Sequence, residues 1–159
     1  MSAEWSPHWN QLIKGIDCEM CDSNRLDEDK YGVRIHRTEN TDAVLQRANI
    51  QRGYTIVIWR GRHVTEPFEL TSAEASAYWL AVLKVAKALS EYYKPLKMNY
   101  ETLSNSLPHL HTHLLPRYAD ADPAPGRPFP LLPQDGDEHS IPDAQLHTEA
   151  AELRALLGG

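Results

Sequence analysis

Residues 107–118 read Leu107-Pro108-His109-Leu110-His111-Thr112-His113-Leu114-Leu115-Pro116-Arg117-Tyr118, with a histidine at every second position from 109 to 113. In an extended chain successive side chains point to opposite faces, so the three imidazoles fall on one face, roughly 6–7 Å apart. That spacing suits gripping one phosphate or one metal ion from several sides. Leu110, Thr112 and Leu114 fall on the other face, where they pack inward. Pro116 has no backbone N–H, so the strand ends near it or lies at a sheet edge. The competing use of three histidines at this period is a purely structural metal clamp.

A second group with chemical potential is Cys18-Glu19-Met20-Cys21, which holds both cysteines of the chain. Two cysteines three residues apart cannot staple distant segments of a secreted fold. They read as half of a metal site, as a redox pair or as two ordinary thiols; a thioredoxin-like pair would need a βαβ context that the neighbouring residues do not suggest.

The elements that must position these groups follow from periodicity. The alternation in Tyr31-Gly32-Val33-Arg34-Ile35-His36-Arg37-Thr38 predicts a strand, and Ala43-Val44-Leu45-Gln46 a second beyond the turn residues Asn40-Thr41-Asp42. Tyr54-Thr55-Ile56-Val57-Ile58-Trp59 is apolar and β-branched, the pattern of a central strand, and Arg60-Gly61-Arg62-His63 closes it in a basic turn. Thr71-Ser72-Ala73-Glu74 has the form of a capping box. Ala75, Tyr78, Trp79, Val82, Val85, Ala86, Leu89 and Tyr93 follow it at helical spacing, giving one long amphipathic helix ended by Pro95. Residues 97–103 make a fourth strand, Ser104-Asn105-Ser106 a connection, and the histidine run a fifth strand. This order predicts an α+β domain: an antiparallel sheet of about five strands with one main packed helix.

A length of 159 residues fits one domain with a real core and a short appendage. The composition changes after Tyr118. Residues 119–159 hold eight acidic and two basic residues, a net of −6 that accounts for the whole charge of the chain, so residues 1–118 are balanced. Residues 122–133 contain five prolines and are expected to run extended. Pro142-Asp143 is expected to open a last helix with Leu146, Ala150, Leu153 and Leu157 on one stripe. The expected division is therefore a domain over 1–118 and a proline-rich acidic tail over 119–159. The acidic balance argues against general nucleic-acid binding, which needs a basic footprint. No apolar run is long enough to span a membrane, and the first residues lack a signal-peptide pattern, which points to the cytoplasm.

The His-x-His-x-His-Leu-Leu run resembles the signature of the histidine-triad family of nucleotide hydrolases and transferases. Residues 46–63 resemble the family segment ending in Gly-His-x-Leu-Val-x-Pro-x-x-His, and Asn99 to Ser106 occupy the place of its phosphate-binding strand and turn. Three positions depart from the pattern: Tyr54 where many members carry histidine, Trp59 where proline is common, and Asn105 where glutamine is common. The resemblance implies an antiparallel sheet with a packed helix, paired as a homodimer. It implies that His111, the middle histidine, is the nucleophile that forms a nucleotidyl-histidine intermediate, an imidazole being largely neutral and nucleophilic near pH 7. His113 would then donate to a phosphate oxygen, Asn105 and Ser106 would hold phosphate and leaving group, Asn99 would add a phosphate-side contact, and Gln46 would meet the ribose.

Some bacterial members that this chain resembles carry Cys-x-x-Cys and bind structural zinc with two histidines. Those positions here are Cys18, Cys21, His63 and His109, with His36 as a rival third ligand. Dinucleoside polyphosphates and nucleoside phosphoramidates are the substrates this resemblance suggests, as in diadenosine polyphosphate hydrolase-like proteins. Alternatives are a phosphorylase or nucleotidylyltransferase using the same intermediate, and a nucleotide-binding regulator with little turnover. The shortage of basic residues counts against DNA-end processing of the aprataxin kind.

Overall fold

A computed structural model describes residues 4–22, 24–122, 124–129 and 140–159. Pro123, Pro130 and Pro133 of the proline-rich stretch, and the acidic residues 135, 137 and 138, lie outside the described residues. Two single-turn helices, α1 (Trp9–Leu12) and α2 (Glu19–Asp22), precede the strands β1 (Gly32–Arg37), β2 (Thr41–Gln46) and β3 (Thr55–Trp59). A 3-10 turn (Pro67–Glu69) leads into α3 (Ser72–Tyr93), followed by β4 (Lys97–Glu101), β5 (His111–Arg117) and α4 (Asp143–Leu157).

The five strands form one antiparallel sheet in the order β1-β2-β3-β5-β4, which puts the histidine strand inside the sheet between β3 and β4. This is the α+β architecture expected from the strand and helix pattern. β5 begins at His111, two residues into the histidine run, because the chain bends at His109 and the ladder with β3 starts only at the pair His111–Ile58. Pro116 is accommodated on β5 opposite Met98 of the edge strand β4.

Helix α3 starts where its capping box dictates: the Thr71 hydroxyl accepts from the Glu74 N–H at 3.2 Å, and the Glu74 carboxylate accepts from the Thr71 N–H at 2.8 Å. It ends at Lys94, whose left-handed backbone (φ 52°) precedes the helix-breaking Pro95. Its stripe Tyr78, Val82, Val85, Leu89 and Tyr93 is buried against one face of the sheet, where Val33, Ile35, Ala43, Leu45, Val57 and Leu114 meet it.

The last helix forms on the stripe expected for it. Leu146, Ala150 and Leu153 are fully buried in the same core, so α4 is a second helix on the α3 side of the sheet. It is tied down by polar contacts as well: the Tyr93 hydroxyl donates to the buried Glu149 carboxylate at 2.6 Å, and the Arg154 guanidinium donates to the Arg34 carbonyl. The apolar core thus continues past residue 119 into α4. Both helices cover one sheet face and leave the other for the histidines.

Candidate active site and metal-binding cluster

Residues directly opposite each other across an antiparallel ladder point to the same face. His111 stands opposite Ile58, and His113 stands opposite Ile56 on one side and Glu101 on the other. Ile58 and Ile56 in turn face Asp42 and Val44 of β2. One sheet face therefore carries His111 and His113 beside an apolar floor, while the alternate residue Thr112 points to the helices and bonds the Tyr78 hydroxyl at 2.8 Å. A cleft of about 220 Å³ opens on the histidine face, with Val44, Gln46, Ile56, Ile58 and Leu107 among its walls.

The period-two reading holds for His111 and His113, which lie ring to ring with centroids 4.8 Å apart. His109 lies ahead of the strand, where its ring enters the cysteine cluster. Hydrogen bonds fix the tautomers. Nδ1 of His111 lies 2.6 Å from the His109 carbonyl oxygen, which can only accept, so Nδ1 carries the proton and Nε2 keeps its lone pair. The Ser104 hydroxyl donates to the same carbonyl at 2.9 Å from a left-handed backbone (φ 54°), which steadies the acceptor. Burial pushes the His111 imidazole down from its ordinary value, and burial with the neighbouring His111 pushes His113 down to about 3. Both rings are neutral at pH 7, the state a nucleophile and a neutral hydrogen-bond donor require.

Cys18, Cys21, His63 and His109 come together with one ligand atom from each, all within 4.8 Å of one another. Nδ1 of His109 lies 3.5 Å from the Cys18 sulfur and 3.4 Å from the Cys21 sulfur; Nδ1 of His63 lies 3.2 Å from Cys21. Four N and S ligands around one tetrahedral ion at ordinary bond lengths stand about 3.3–3.8 Å apart. Nε2 of His109 is 2.7 Å from the Trp59 carbonyl and must donate to it, which leaves Nδ1 bare and aimed at the sulfurs. Burial pushes His109 down to about 4, and burial with the adjacent Cys18 pushes the Cys21 thiol up to about 12. A dication reverses the thiol's preference, since metal binding deprotonates it. His36 is not in this cluster; it sits half-buried on β1 near Lys84.

Local structure explains how loops this short hold ligands. The Cys18 carbonyl accepts from the N–H groups of Cys21 and Asp22, so a single turn brings both sulfurs to one side. Gly15, at φ +78°, runs so close to His63 that a Cβ there would stand 2.9 Å from the ring. Arg60 joins the loops to the sheet: it donates to the Met20 carbonyl and, from Nε at 2.8 Å, to Asp42, which also takes two bonds of 2.8 Å from Arg25.

The remaining expected residues divide. Gln46 lies on the histidine face, buried at the cleft, with its amide donating to the Val44 carbonyl. Asn105 and Ser106 are exposed on the loop that leads to His109. Asn99 shares the face of the triad, and its side-chain oxygen accepts at 2.6 Å from Arg117, which also donates to the Arg127 carbonyl. Sequence reasoning missed Ser104 and the Asp42 cluster. Ser104 looked like one of three equivalent turn residues, and only its backbone conformation distinguishes it. Asp42 looked like part of a turn, yet it lies within β2 and is 1% exposed.

Comparison with known proteins agrees with this fold. Residues 28–120 match the HIT domain, and the chain belongs to the HIT family. It is 31% identical to Protein hit of Bacillus subtilis (strain 168) over 97 residues, which cover 57% of this chain and 65%, just under two thirds, of that protein. Among solved structures, a histidine triad protein from Bradyrhizobium japonicum shares the fold at a TM-score of 0.70 and 21% identity, over 85% of this chain and 96% of that one. A Zn-bound histidine triad family protein from Mycobacterium smegmatis shares it at 0.61 and 20% identity, over 89% and 93%.

Asp42 provides a test of the support under the site. Burial alone would raise its pKa, but the hydrogen bonds and charges of Arg25 and Arg60 outweigh that and hold it below the usual carboxylate range. A depressed folded pKa contributes stability at pH values above the unfolded value, about 3.9, and loses it as pH falls through the folded value. Asp42→Asn should destabilise the protein by about 3–5 kcal/mol at pH 7, the cost of stranding buried cations, and the difference should shrink below pH 4. Urea unfolding of both forms at pH 7 and pH 3.5 reads this out; an unchanged midpoint at pH 7 contradicts it.

Proposed function

We propose that this HIT-family chain is a nucleotide hydrolase or transferase that acts at the α-phosphate of nucleoside phosphates, with His111 as nucleophile. The observation that carries the reading is the fixed tautomer of His111, whose Nδ1–H is engaged by the His109 carbonyl beside an apolar cleft on the open sheet face. Nε2 attacks the α-phosphorus: a new P–N bond to the imidazole forms as the bond to the leaving group breaks, P–O in a dinucleoside polyphosphate or P–N in a phosphoramidate, and the leaving oxygen or nitrogen departs with the electron pair. Water or another acceptor then attacks the same phosphorus, the P–N bond breaks and neutral His111 returns. His113 donates to a non-bridging oxygen as charge develops, Asn105 and Ser106 hold the phosphate and leaving oxygen, and Gln46 meets the ribose at the apolar cleft. Dinucleoside polyphosphates and nucleoside phosphoramidates both present such a phosphorus.

Cys18, Cys21, His63 and His109 would hold zinc, a soft-to-borderline ion that favours two thiolates and two imidazoles. A four-ligand set leaves no position for substrate, so the ion would serve structure. The bound zinc of the Mycobacterium smegmatis relative supports this choice of metal. Thiols that must stay reduced suit a reducing compartment such as the cytoplasm. No described helix is long and apolar enough to cross a membrane. A homodimer is supported by the edge position of β4 and by Leu80 and Leu83, exposed on α3.

His111→Ala is expected to abolish turnover across a panel of dinucleoside polyphosphates and nucleoside phosphoramidates while nucleotide binding, followed by calorimetry, persists. Substantial residual kcat removes His111 from its role. For the metal, elemental analysis should find one zinc per chain, lost in both Cys18→Ser and His109→Ala together with part of the thermal stability. Full zinc retention in His109→Ala would rule out this ligand set.

A further inference from the structure

Tyr54 stands at a position where the resemblance leads one to expect histidine, and it touches the site. Thr55 pairs with Leu114, so Tyr54 precedes the strand opposite Leu115 and is the diagonal neighbour of His113 on the same face, within reach of a large aromatic side chain. Its ring lies nearly parallel to the His113 imidazole, at 13° and 5.8 Å between centroids, and its hydroxyl is 2.7 Å from Nδ1 of His113.

The ring has little freedom to move away. It is 5% exposed and packs with Leu115 and Phe129, with Ile50 and Ile56 at the margin. Gly53 lets the chain enter at φ +80°, so close to Tyr93 and Pro116 that a Cβ would stand 2.7 Å and 3.1 Å from them. Phe129 is itself fixed, its N–H donating to the Glu101 carboxylate at 3.2 Å. The phenol is thus held on His113 by the apolar packing around it.

Two neutral groups can share this hydrogen bond in either direction, and the surroundings decide which. If Nδ1–H donated to the phenol oxygen, the phenol proton would be buried with no other acceptor among the described residues, at the cost of an unsatisfied donor. If the hydroxyl donates to Nδ1, both groups are satisfied. We propose that Tyr54 is a positioning residue: by donating to Nδ1 of His113 it holds that imidazole in the Nε2–H tautomer, so that His113 presents a proton to the substrate phosphate while His111 presents a lone pair.

The two adjacent histidines then carry opposite tautomers, set by opposite partners. His111 donates from Nδ1 to a carbonyl and has a bare Nε2; His113 accepts at Nδ1 from a phenol and has a protonated Nε2. Burial and the nearby Glu101 raise the Tyr54 phenol above its ordinary value, and burial lowers His113, so both stay neutral across the physiological range. Two rings of the same type thereby acquire different roles. The catalytic consequence rests on the nucleotide-hydrolase reading, whereas the tautomer itself does not.

The test uses the full chain as purified and removes one oxygen atom, as Tyr54→Phe. Nitrogen-15 NMR of the imidazoles should show His113 as the Nε2–H tautomer in the wild type and as a mixture in the variant, with His111 unchanged in both. Turnover should show kcat lowered about 10-fold or more with KM within about 2-fold, and Tyr54→Phe should add no further loss to His113→Ala. An unchanged His113 tautomer in Tyr54→Phe, or an Nδ1–H tautomer in the wild type, overturns the proposal whatever the activity. A shifted tautomer in a protein that turns over none of the nucleotides supports the positioning role and removes the hydrolase reading instead.

Discussion

The site depends on how His109 is held. Its ring donates from Nε2 to the Trp59 carbonyl, its Nδ1 faces the two sulfurs, and its own carbonyl accepts from Nδ1 of His111 and from Ser104. One residue thus connects the cysteine cluster to His111, its ring on the sulfurs and its backbone carbonyl on the His111 imidazole. Metal bound by the cluster would restrain the carbonyl that sets the His111 tautomer. The Asp42 network supports the same arrangement from the other end, because Arg60 reaches both Asp42 and the Met20 carbonyl.

The sheet supplies the second constraint. Alternation sends Thr112 and Leu114 into the core with α3 and leaves His111 and His113 on the open face, so packing on one side fixes the chemistry on the other. A slip of one residue in the β3–β5 register would bury the imidazoles under α3 and expose Leu114. Thr112 opposes such a slip by bonding both the Tyr78 and Thr102 hydroxyls at 2.8 Å. Tyr54 and Phe129 close the face near β4, while the apolar floor of Val44, Ile56 and Ile58 lies on the β2 side.

Much of this was legible in the sequence because it is written in short-range patterns. The capping box gave the start of α3, the apolar stripe gave α4, and strict alternation gave the strand that carries His111 and His113. The cysteine spacing alone left three readings open, and the resemblance selected the ligands that the fold brings together. Other features were not legible. The bond from Arg117 to the Asn99 oxygen, eighteen residues back along the chain, has no local signature. Asp42 acquires its importance only when β1, β3 and the loop of Arg25 bring guanidinium groups around it, a set of long-range contacts with no local signature. Trp59, a departure from the family pattern, meets the site through its backbone carbonyl, while its buried side chain packs against Tyr78 in the core and its indole N–H donates to the Arg62 carbonyl.

The central claim is that His111 becomes covalently nucleotidylated during turnover, and intact-protein mass spectrometry tests it most directly. The purified protein is mixed with a nucleoside phosphoramidate, quenched within the first turnover under conditions that preserve phosphoramidates, and weighed. A mass increase of one nucleoside monophosphate less water, located by peptide mapping on His111 and absent from His111→Ala, is the result predicted. Turnover of the same substrate with no adduct at any quench time, or with the adduct on another residue, would contradict it.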